Sequence, residues 1–110
     1  MQQPKEFYRL GSMFLDWTGE QHLNLRRPPA ERHSPFEGFI IIMDHAIGFL
    51  KTDQERQRVI DYLDYLLDSG LSEAQLSAIW QRTGARDAMT PTDTFFRMIR
   101  DRIASTLTRP

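Results

Sequence analysis

Hydrophobic residues recur every three or four positions along most of the chain, which is the spacing of one face of an α-helix. Near the N-terminus this pattern is formed by Phe7, Leu10, Phe14 and Trp17. It predicts a helix that ends near Thr18-Gly19, because glycine commonly follows the last helical turn. Residues 19–33 lack the pattern and contain the helix-breaking pair Pro28-Pro29. We therefore predict a flexible loop over residues 19–33.

Each later apolar segment begins at a helix-start signal. In a capping box, a Ser or Thr side chain accepts from the backbone N–H three residues on, and a Glu or Gln at that position bonds back. The pattern occurs at Ser34 with Glu37, Thr52 with Glu55, and Ser72 with Gln75. Thr90-Pro91 offers a further cap, with Asp93 as the acidic residue behind it. Gly70 and Gly84 suit the positions just after a helix end.

These starts and stops divide the apolar pattern into helices. Between Ser34 and Leu50, the run Ile40-Ile41-Ile42 alone is compatible with a strand, but the surrounding period and the cap favour a helix. This helix is expected to be the most buried element. With the N-terminal helix and the three that follow the later start signals, the sequence predicts an all-α, single-domain bundle of about five helices over residues 1–110.

The composition is that of one globular domain. The 110 residues are 40% hydrophobic and 26% charged, which is ordinary for a folded domain. The absence of cysteine excludes disulfides, thiolate metal sites and cysteine nucleophiles. The longest apolar stretch, residues 39–43, is far shorter than the roughly 20 residues of a membrane span. We predict a cytoplasmic protein without membrane contact. Because the net charge is only −1, a strong electrostatic field can arise only from local clusters of like charge.

No arrangement of residues in the sequence predicts catalysis or metal binding. His22, His33 and His45 show neither the four-residue helical spacing of a zinc site nor an HExxH motif. Glycine-rich phosphate loops and nucleophile elbows do not occur. No acid, base and nucleophile form a recognisable set. We expect no catalytic residues, no metal and no cofactor, and hence a protein that is not an enzyme.

One helix carries more acidic residues than folding requires. The acidic row consists of Asp61, Asp64, Tyr65 and Asp68. Spacings of three and four place these residues on one face, where the carboxylates repel one another and oppose the helix dipole. A charged outer face is also the default for an amphipathic helix. The alternative to that default is a docking surface for a basic protein partner, extended by Asp53 and Glu55, in which a tyrosine supplies contact area.

A basic cluster offers a different hypothesis. Several arginines in the C-terminal half could form a patch for nucleic acid: Arg82, Arg86, Arg97, Arg100 and Arg102. The helix that starts at Ser72 could then be half of a helix-turn-helix. However, the acidic helix just before it would repel phosphates, and the near-neutral total charge supplies little attraction. Binding of nucleic acid is therefore disfavoured.

The order of several residues resembles a known family. The features are Asp16-Trp17 at the end of an aromatic N-terminal helix, then Leu66-Leu67, Ser72-Glu73, Leu76, Trp80 and Gly84, and a terminal helix around Phe96 and Ile99. In these the chain resembles the immunity proteins of bacterial contact-dependent growth inhibition and related polymorphic toxin systems. The resemblance implies a helical protein without catalytic residues that binds one cognate toxin domain tightly. Toxins of such systems are commonly nucleases, including ones that cleave transfer RNA.

The resemblance and the acidic row together predict an immunity protein that binds and neutralises a cognate toxin domain, as a nuclease inhibitor in a toxin–antitoxin complex. The predicted partner-binding residues are Asp53, Glu55, Asp61, Asp64, Tyr65 and Asp68. The alternative is a small helical regulator or adaptor that binds nucleic acid or a partner protein. The oligomeric state stays open, because Trp17 and Phe95 could lie in the core or at an interface.

Overall fold

The computed structural model describes residues 1–14, 17–85 and 88–107, and for residues 17–20 it describes the backbone alone. These parts contain six α-helices and no strand. The helices are α1 (Lys5–Ser12), α2 (Trp17–Leu25), α3 (Pro35–Ile47), α4 (Asp53–Asp68), α5 (Glu73–Gln81) and α6 (Thr92–Ser105), with a 3-10 turn at Pro29–Glu31. The predicted all-α bundle is confirmed. No helix in the described ranges combines the length and the apolar composition needed to cross a lipid bilayer.

Helix starts follow the capping predictions at three positions. At Ser34, Thr52 and Ser72 the hydroxyl accepts from the backbone N–H three residues on, and the Glu or Gln there accepts from the N-cap N–H. Gly70 follows α4 and Gly84 follows α5, with φ angles of +70° and +85°. Other residues rarely adopt this left-handed conformation. Both predicted helix stops are therefore confirmed.

The start of α6 is capped differently from the prediction. Pro91 occupies the N-cap position and provides no side-chain hydrogen bond, so the predicted Thr90 cap is wrong. The cap comes from Glu73 in α5. Its Oε1 accepts from the backbone N–H of Thr92 at 2.6 Å, and its Oε2 accepts from the Thr92 hydroxyl. A carboxylate also suits the positive end of the helix dipole, so Glu73 ties α5 to α6.

The N-terminal third differs most from the predicted pattern. α1 ends at Ser12 rather than near Thr18-Gly19, and the predicted loop over residues 19–33 contains most of α2 and the 3-10 turn. The two prolines come only after Leu25, so they follow α2 and do not interrupt it. α2 packs mainly against α3. This contact stabilises α2, because a helix of nine residues is barely stable by itself in water.

Aromatic rings form the centre of the core. Four phenylalanine rings surround Trp80 with centroid distances of at most 6.0 Å: Phe7, Phe14, Phe95 and Phe96. All four contacts are edge-to-face, an arrangement that aromatic pairs prefer. Phe95 is therefore a core residue, whereas the side chain of Trp17 lies outside the described residues. Phe36 shares the predicted apolar period of α3 but is 56% exposed.

α1 approaches the end of α5 so closely that Gly11 has no room for a side chain. A Cβ on Gly11 would lie 1.8 Å from Oγ1 and 2.4 Å from Cβ of Thr83. Thr83 is fully buried, and its hydroxyl donates to the Trp80 carbonyl at 2.6 Å and accepts from the Ala85 N–H at 3.3 Å. The Ser12 hydroxyl also donates to the Thr83 carbonyl at 2.7 Å. The close approach of the Thr83 side chain to the α1 backbone therefore requires glycine at this position.

Gly11→Ala is expected to lower the free energy of unfolding by about 2 kcal/mol, although alanine gains about 1 kcal/mol in helix propensity. Thr83 is held by its hydrogen bonds, so α1 has to shift and loosen its own packing. Urea denaturation measures the change. Gly48→Ala is the milder comparison, because a Cβ there would lie 3.2 Å from the His45 carbonyl oxygen, a tight contact that a small shift relieves. A Gly11→Ala protein as stable as the wild type would contradict the close approach.

Two ion pairs cross between α1 and α4. Arg58 donates to Glu6 at 2.7 Å, and Arg9 donates to Glu55 at 2.8 Å. Glu6 is only 2% exposed, and this burial pushes its pKa up. Hydrogen bonds from its own backbone N–H and from Arg58, together with nearby positive charge, outweigh the burial, so the pKa of Glu6 lies below its ordinary value. The Glu6 carboxylate therefore stays ionised and holds α1 on α4.

Stability is consequently expected to fall in acid. A carboxylate with a lowered pKa stabilises the fold above its unfolded pKa of about 4.5, and the contribution disappears as the pH falls through the lower folded pKa. Glu6→Gln should be less stable by about 1–2 kcal/mol at neutral pH and should lose less stability on acidification. Denaturant titrations at several pH values measure both effects, with Glu31→Gln as an exposed control. An unchanged pH profile in Glu6→Gln would rule out this role.

Candidate functional site

The predicted acidic row lies on the outward side of α4. The helix is fixed by its capping box at Thr52 and by an apolar side in the core that consists of Val59, Ile60, Leu63 and Leu66. The opposite side carries the residues that we call the acidic face: Asp61, Asp64, Tyr65 and Asp68. Asp61, Tyr65 and Asp68 are exposed, and Asp64 is half-exposed beside them. The structure therefore brings these four predicted residues together on one surface.

Asp64 has a partner that the sequence pattern did not indicate. Its Oδ1 accepts from Nη1 of Arg100 in α6 at 3.0 Å, and Arg100 also contacts Asp101 at 3.2 Å. Within α4 itself no basic residue follows Arg58, as the sequence shows. The positive charge that offsets repulsion at Asp64 therefore comes from the neighbouring helix α6. Because both side chains are partly exposed, this ion pair contributes at most about 1 kcal/mol to stability. Asp64 thus belongs partly to the α4–α6 contact.

Asp61 and Asp68 carry charge without an ion pair in the described parts of the chain. Asp61 Oδ1 accepts from the Gln57 amide at 2.9 Å, and the Asp68 carboxylate makes no hydrogen bond among the described residues. The last turn of α4 contains no basic side chain. A carboxylate at that end opposes the helix dipole, at a cost of about 0.5 kcal/mol. Neither charge contributes to folding through an ion pair, which leaves both available to a partner.

Tyr65 is held in place on this surface. Its ring stacks on that of Tyr62, with centroids 6.3 Å apart and planes 21° apart. Tyr62 is buried against Phe7 at 5.0 Å, and this burial, with the nearby Tyr65, raises the pKa of Tyr62. Tyr65 itself stays 43% exposed. A ring already held by a buried neighbour loses little freedom on binding, which favours it as an interface anchor.

The predicted extension through Glu55 and Asp53 lies apart from the acidic face. Glu55 accepts from Arg9 at 2.8 Å and from the backbone N–H of Lys51 at 2.9 Å. The Arg9 hydrogen bond is the main reason that the pKa of Glu55 is lowered. Glu55 is thus engaged in folding. Asp53 stands in the first turn, about 12 Å along the helix axis from Asp61.

The arginines predicted as an alternative patch are largely neutralised by acids. Arg97 pairs with Asp93 at 3.2 Å, and Arg100 pairs with Asp64. Arg102 makes two hydrogen bonds of 2.6 Å to Asp44. Arg86 lies outside the described residues. Because these charges are matched one by one, the α6 surface offers little net attraction for phosphates.

Metal-ligating side chains are scattered across the structure. Within the described residues no group of three or more His, Cys, Asp or Glu side chains could hold a metal ion. His45 packs against Phe49, with ring centroids 5.3 Å apart. His22 and His33 line a cleft between α2 and the start of α3. The acidic face has no cation ligand geometry of its own, so its chemistry is that of charge and aromatic contact.

Sequence reasoning missed the surface around that cleft. Leu25, which lines the cleft, is exposed, and so are Leu23 and Phe36 in the same two helices, although their types suggest burial. The residues before Pro28 mix good helix formers such as Leu23 and Leu25 with weak ones such as His22 and Asn24, so helix propensity gave only a weak signal for α2. Once α2 is placed on α3, its short length leaves part of its apolar surface uncovered.

The chain matches no protein-family model, no curated protein and no solved structure with which it was compared.

Proposed function

We propose that this protein is an immunity protein that binds and neutralises a cognate bacterial toxin domain through the acidic face of α4. The observation that carries the proposal is the pair of exposed aspartates, Asp61 and Asp68, which flank Tyr65 and have no ion pair in the described parts of the chain. Folding alone does not require this arrangement. A partner with a basic surface would supply the missing counter-charge.

A nuclease toxin fits this chemistry. A nuclease, including one that cleaves transfer RNA, needs a basic surface to hold the phosphates of its substrate. Asp61 and Asp68 lie about two helical turns apart, roughly 10 Å along the axis. Carboxylates at this spacing can take the place of those phosphates, and the charge pattern would steer association. Tyr65 would add the aromatic contact that dominates many interfaces. In this mechanism the immunity protein inhibits by occupying the surface that the nucleic acid would use.

The alternative, a helical regulator or adaptor that binds nucleic acid, has less support. The arginines of the C-terminal half are the residues that would bind nucleic acid, and most of them form ion pairs with aspartates. A strong electrostatic term is normally needed for binding to nucleic acid. An adaptor that binds a basic protein would use the same acidic face, so the two protein-binding hypotheses differ only in the partner.

The function is tested with the product of the gene immediately upstream. If the proposal is right, that gene encodes a large secreted protein with a variable C-terminal domain. Expression of this domain alone should arrest growth, and co-expression of the protein described above should restore it. The two chains should also co-purify. Growth arrest that persists despite equal expression of both chains would contradict the proposed function.

A further inference from the structure

The side of α3 that faces away from the core is apolar. Of the 13 residues of this helix, only Glu37, Asp44 and His45 carry polar side chains, a composition typical of a helix that is covered on all sides. α3 packs against α1, α2 and α6, yet Ile41 at its midpoint is 47% exposed and the adjacent Ile40 is only half-buried. α3 therefore has the composition of a buried helix but leaves apolar side chains uncovered in the described parts of the chain.

A groove between α3 and α6 extends this apolar surface. The groove has a volume of about 300 Å³ and is lined by five residues: Ile40, Met98, Asp101, Arg102 and Ser105. At its rim Arg102 donates two hydrogen bonds of 2.6 Å to Asp44. Ile40, Ile41 and Met98 thus form an apolar strip that is bordered by an ion pair.

The exposed residues along this side of α3 are arranged symmetrically about Ile41. Glu37 lies four residues before Ile41 and His45 lies four residues after it, so the three exposed side chains form one ridge of the helix. The two caps of the helix, Ser34 and Gly48, are also exposed and lie seven residues before and after Ile41. If a second copy of α3 runs antiparallel with Ile41 at the centre, Glu37 faces His45 and Ser34 faces Gly48. Ridges with this four-residue spacing interlock in the commonest packing of two helices.

The polar groups of this surface are complementary to one another across such a contact. Glu37 Oε1 accepts from the Ser34 N–H at 3.4 Å, and Oε2 makes no hydrogen bond among the described residues. The His45 ring is held against Phe49, with ring centroids 5.3 Å apart, and its N–H can donate to a carboxylate. The aspartates at the rim pair with arginines of α6. Two copies therefore bring complementary groups together here, whereas two acidic faces of α4 would repel each other.

We propose that this protein forms a two-fold symmetric dimer in which α3 packs antiparallel against α3 of a second copy. The two Ile41 side chains meet at the axis, and Ile40 and Met98 flank them. Glu37 of each copy accepts a hydrogen bond from His45 of the other. A two-fold interface requires a self-complementary surface of this kind. The surface contains no residue of the acidic face of α4 and does not depend on the proposed immunity function.

The dimer is expected to be weak and reversible. Each copy contributes one helix ridge and the edge of a groove, which is less than the surface that an obligate dimer buries. We expect a dissociation constant on the order of 10–100 µM. Sedimentation equilibrium of the full-length protein between about 5 µM and about 1 mM measures it. The weight-average mass should rise with concentration from the 12.9 kDa of one chain toward twice that value.

Ile41→Glu should weaken the dimer about tenfold or more, because it places two like charges at the axis. Tyr65→Glu is the matched control, since Tyr65 is 43% exposed on α4 and its replacement changes the net charge equally. This control should dimerise like the wild type. Circular dichroism should show the same helical content in both variants, because both side chains are exposed.

Two variants of His45 test the antiparallel register. His45→Lys should tighten the dimer about threefold, because the lysine meets Glu37 of the other copy, and His45→Glu should weaken it about tenfold. In a parallel register, two lysines would meet and His45→Lys would weaken the dimer. A chain that stays monomeric up to about 1 mM would overturn the proposal, as would a dimer that Ile41→Glu leaves intact or that His45→Lys weakens. A monomer that loses binding of the toxin domain on Ile41→Glu would also overturn it and would place the toxin on α3.

Discussion

Replacing Trp80 with alanine is expected to lower the free energy of unfolding by about 3–5 kcal/mol, the range found when a large buried aromatic side chain is removed. Trp80 is 1% exposed, and its ring lies among those of four phenylalanines from α1, its C-terminal extension and α6. The cavity would open where these elements meet α5. The free energy of unfolding of a natural domain is only about 5–15 kcal/mol in total, so the variant should retain little stability.

Urea unfolding followed by circular dichroism measures this effect. Trp80→Phe is the conservative comparison and should cost less, because it preserves an edge-to-face contact. Tyr65→Ala is the matched control on the surface, with an expected loss of less than about 1 kcal/mol. This control also shows whether Tyr65 can be removed without harm to the fold. A Trp80→Ala protein no less stable than Tyr65→Ala would mean that the aromatic core is wrongly assigned.

Local signals predicted most of the helices. The boxes at Ser34, Thr52 and Ser72 involve groups only three residues apart, so the sequence carries all the information that they need. The stops at Gly70 and Gly84 are also local, since they depend on the conformational freedom of one residue. Where such signals agreed with the apolar period, the predicted helix was confirmed.

The failures all involve contacts between residues far apart in the chain. The cap of α6 comes from Glu73, 19 positions before Thr92, and no local pattern predicts it. Helix propensity alone makes Gly11 a weak point of α1, whereas in the structure it is the place where the Thr83 side chain comes into contact. α2 was missed because its formation depends on packing against α3, and propensity alone is a poor guide for a short helix.

The candidate site was predictable in outline. The helical period placed Asp61, Tyr65 and Asp68 on one exposed side of α4, as the structure shows. The period could not show that Asp64 would be paired with Arg100, or that Glu55 would be held by Arg9. Both partners come from other helices. Tertiary contacts therefore decide which charges of an acidic helix serve folding and which stay available.

Reversing Asp61 and Asp68 to lysine is expected to weaken binding of the toxin domain about 100-fold, because two attractive charges become repulsive. Asp64 is left unchanged in this variant. A lysine there would face Arg100, and the loss of that ion pair would mix a folding effect with a binding effect. Asp61 and Asp68 have no ion pair in the described parts of the chain, so the double variant should keep the helical fold and the stability of the wild type.

The control has to change the net charge equally without touching the acidic face. Glu31→Lys combined with Ala30→Lys and Gln21→Lys does so, because these three residues are exposed and lie outside α4. Long-range electrostatics alone should then lower the affinity by only about threefold at low salt, and less at higher salt. Any larger loss in the Asp61/Asp68 variant would come from the face itself.

The most direct test of the docking face is the equilibrium dissociation constant of the complex with the upstream-encoded toxin domain, measured by calorimetry at about 50 mM and 500 mM salt. The acidic-face mechanism predicts a roughly 100-fold loss for Asp61→Lys with Asp68→Lys at low salt, a smaller loss at high salt, and a change of at most about threefold for the control. Equal dissociation constants for the face variant and its control would contradict a role of α4 in binding.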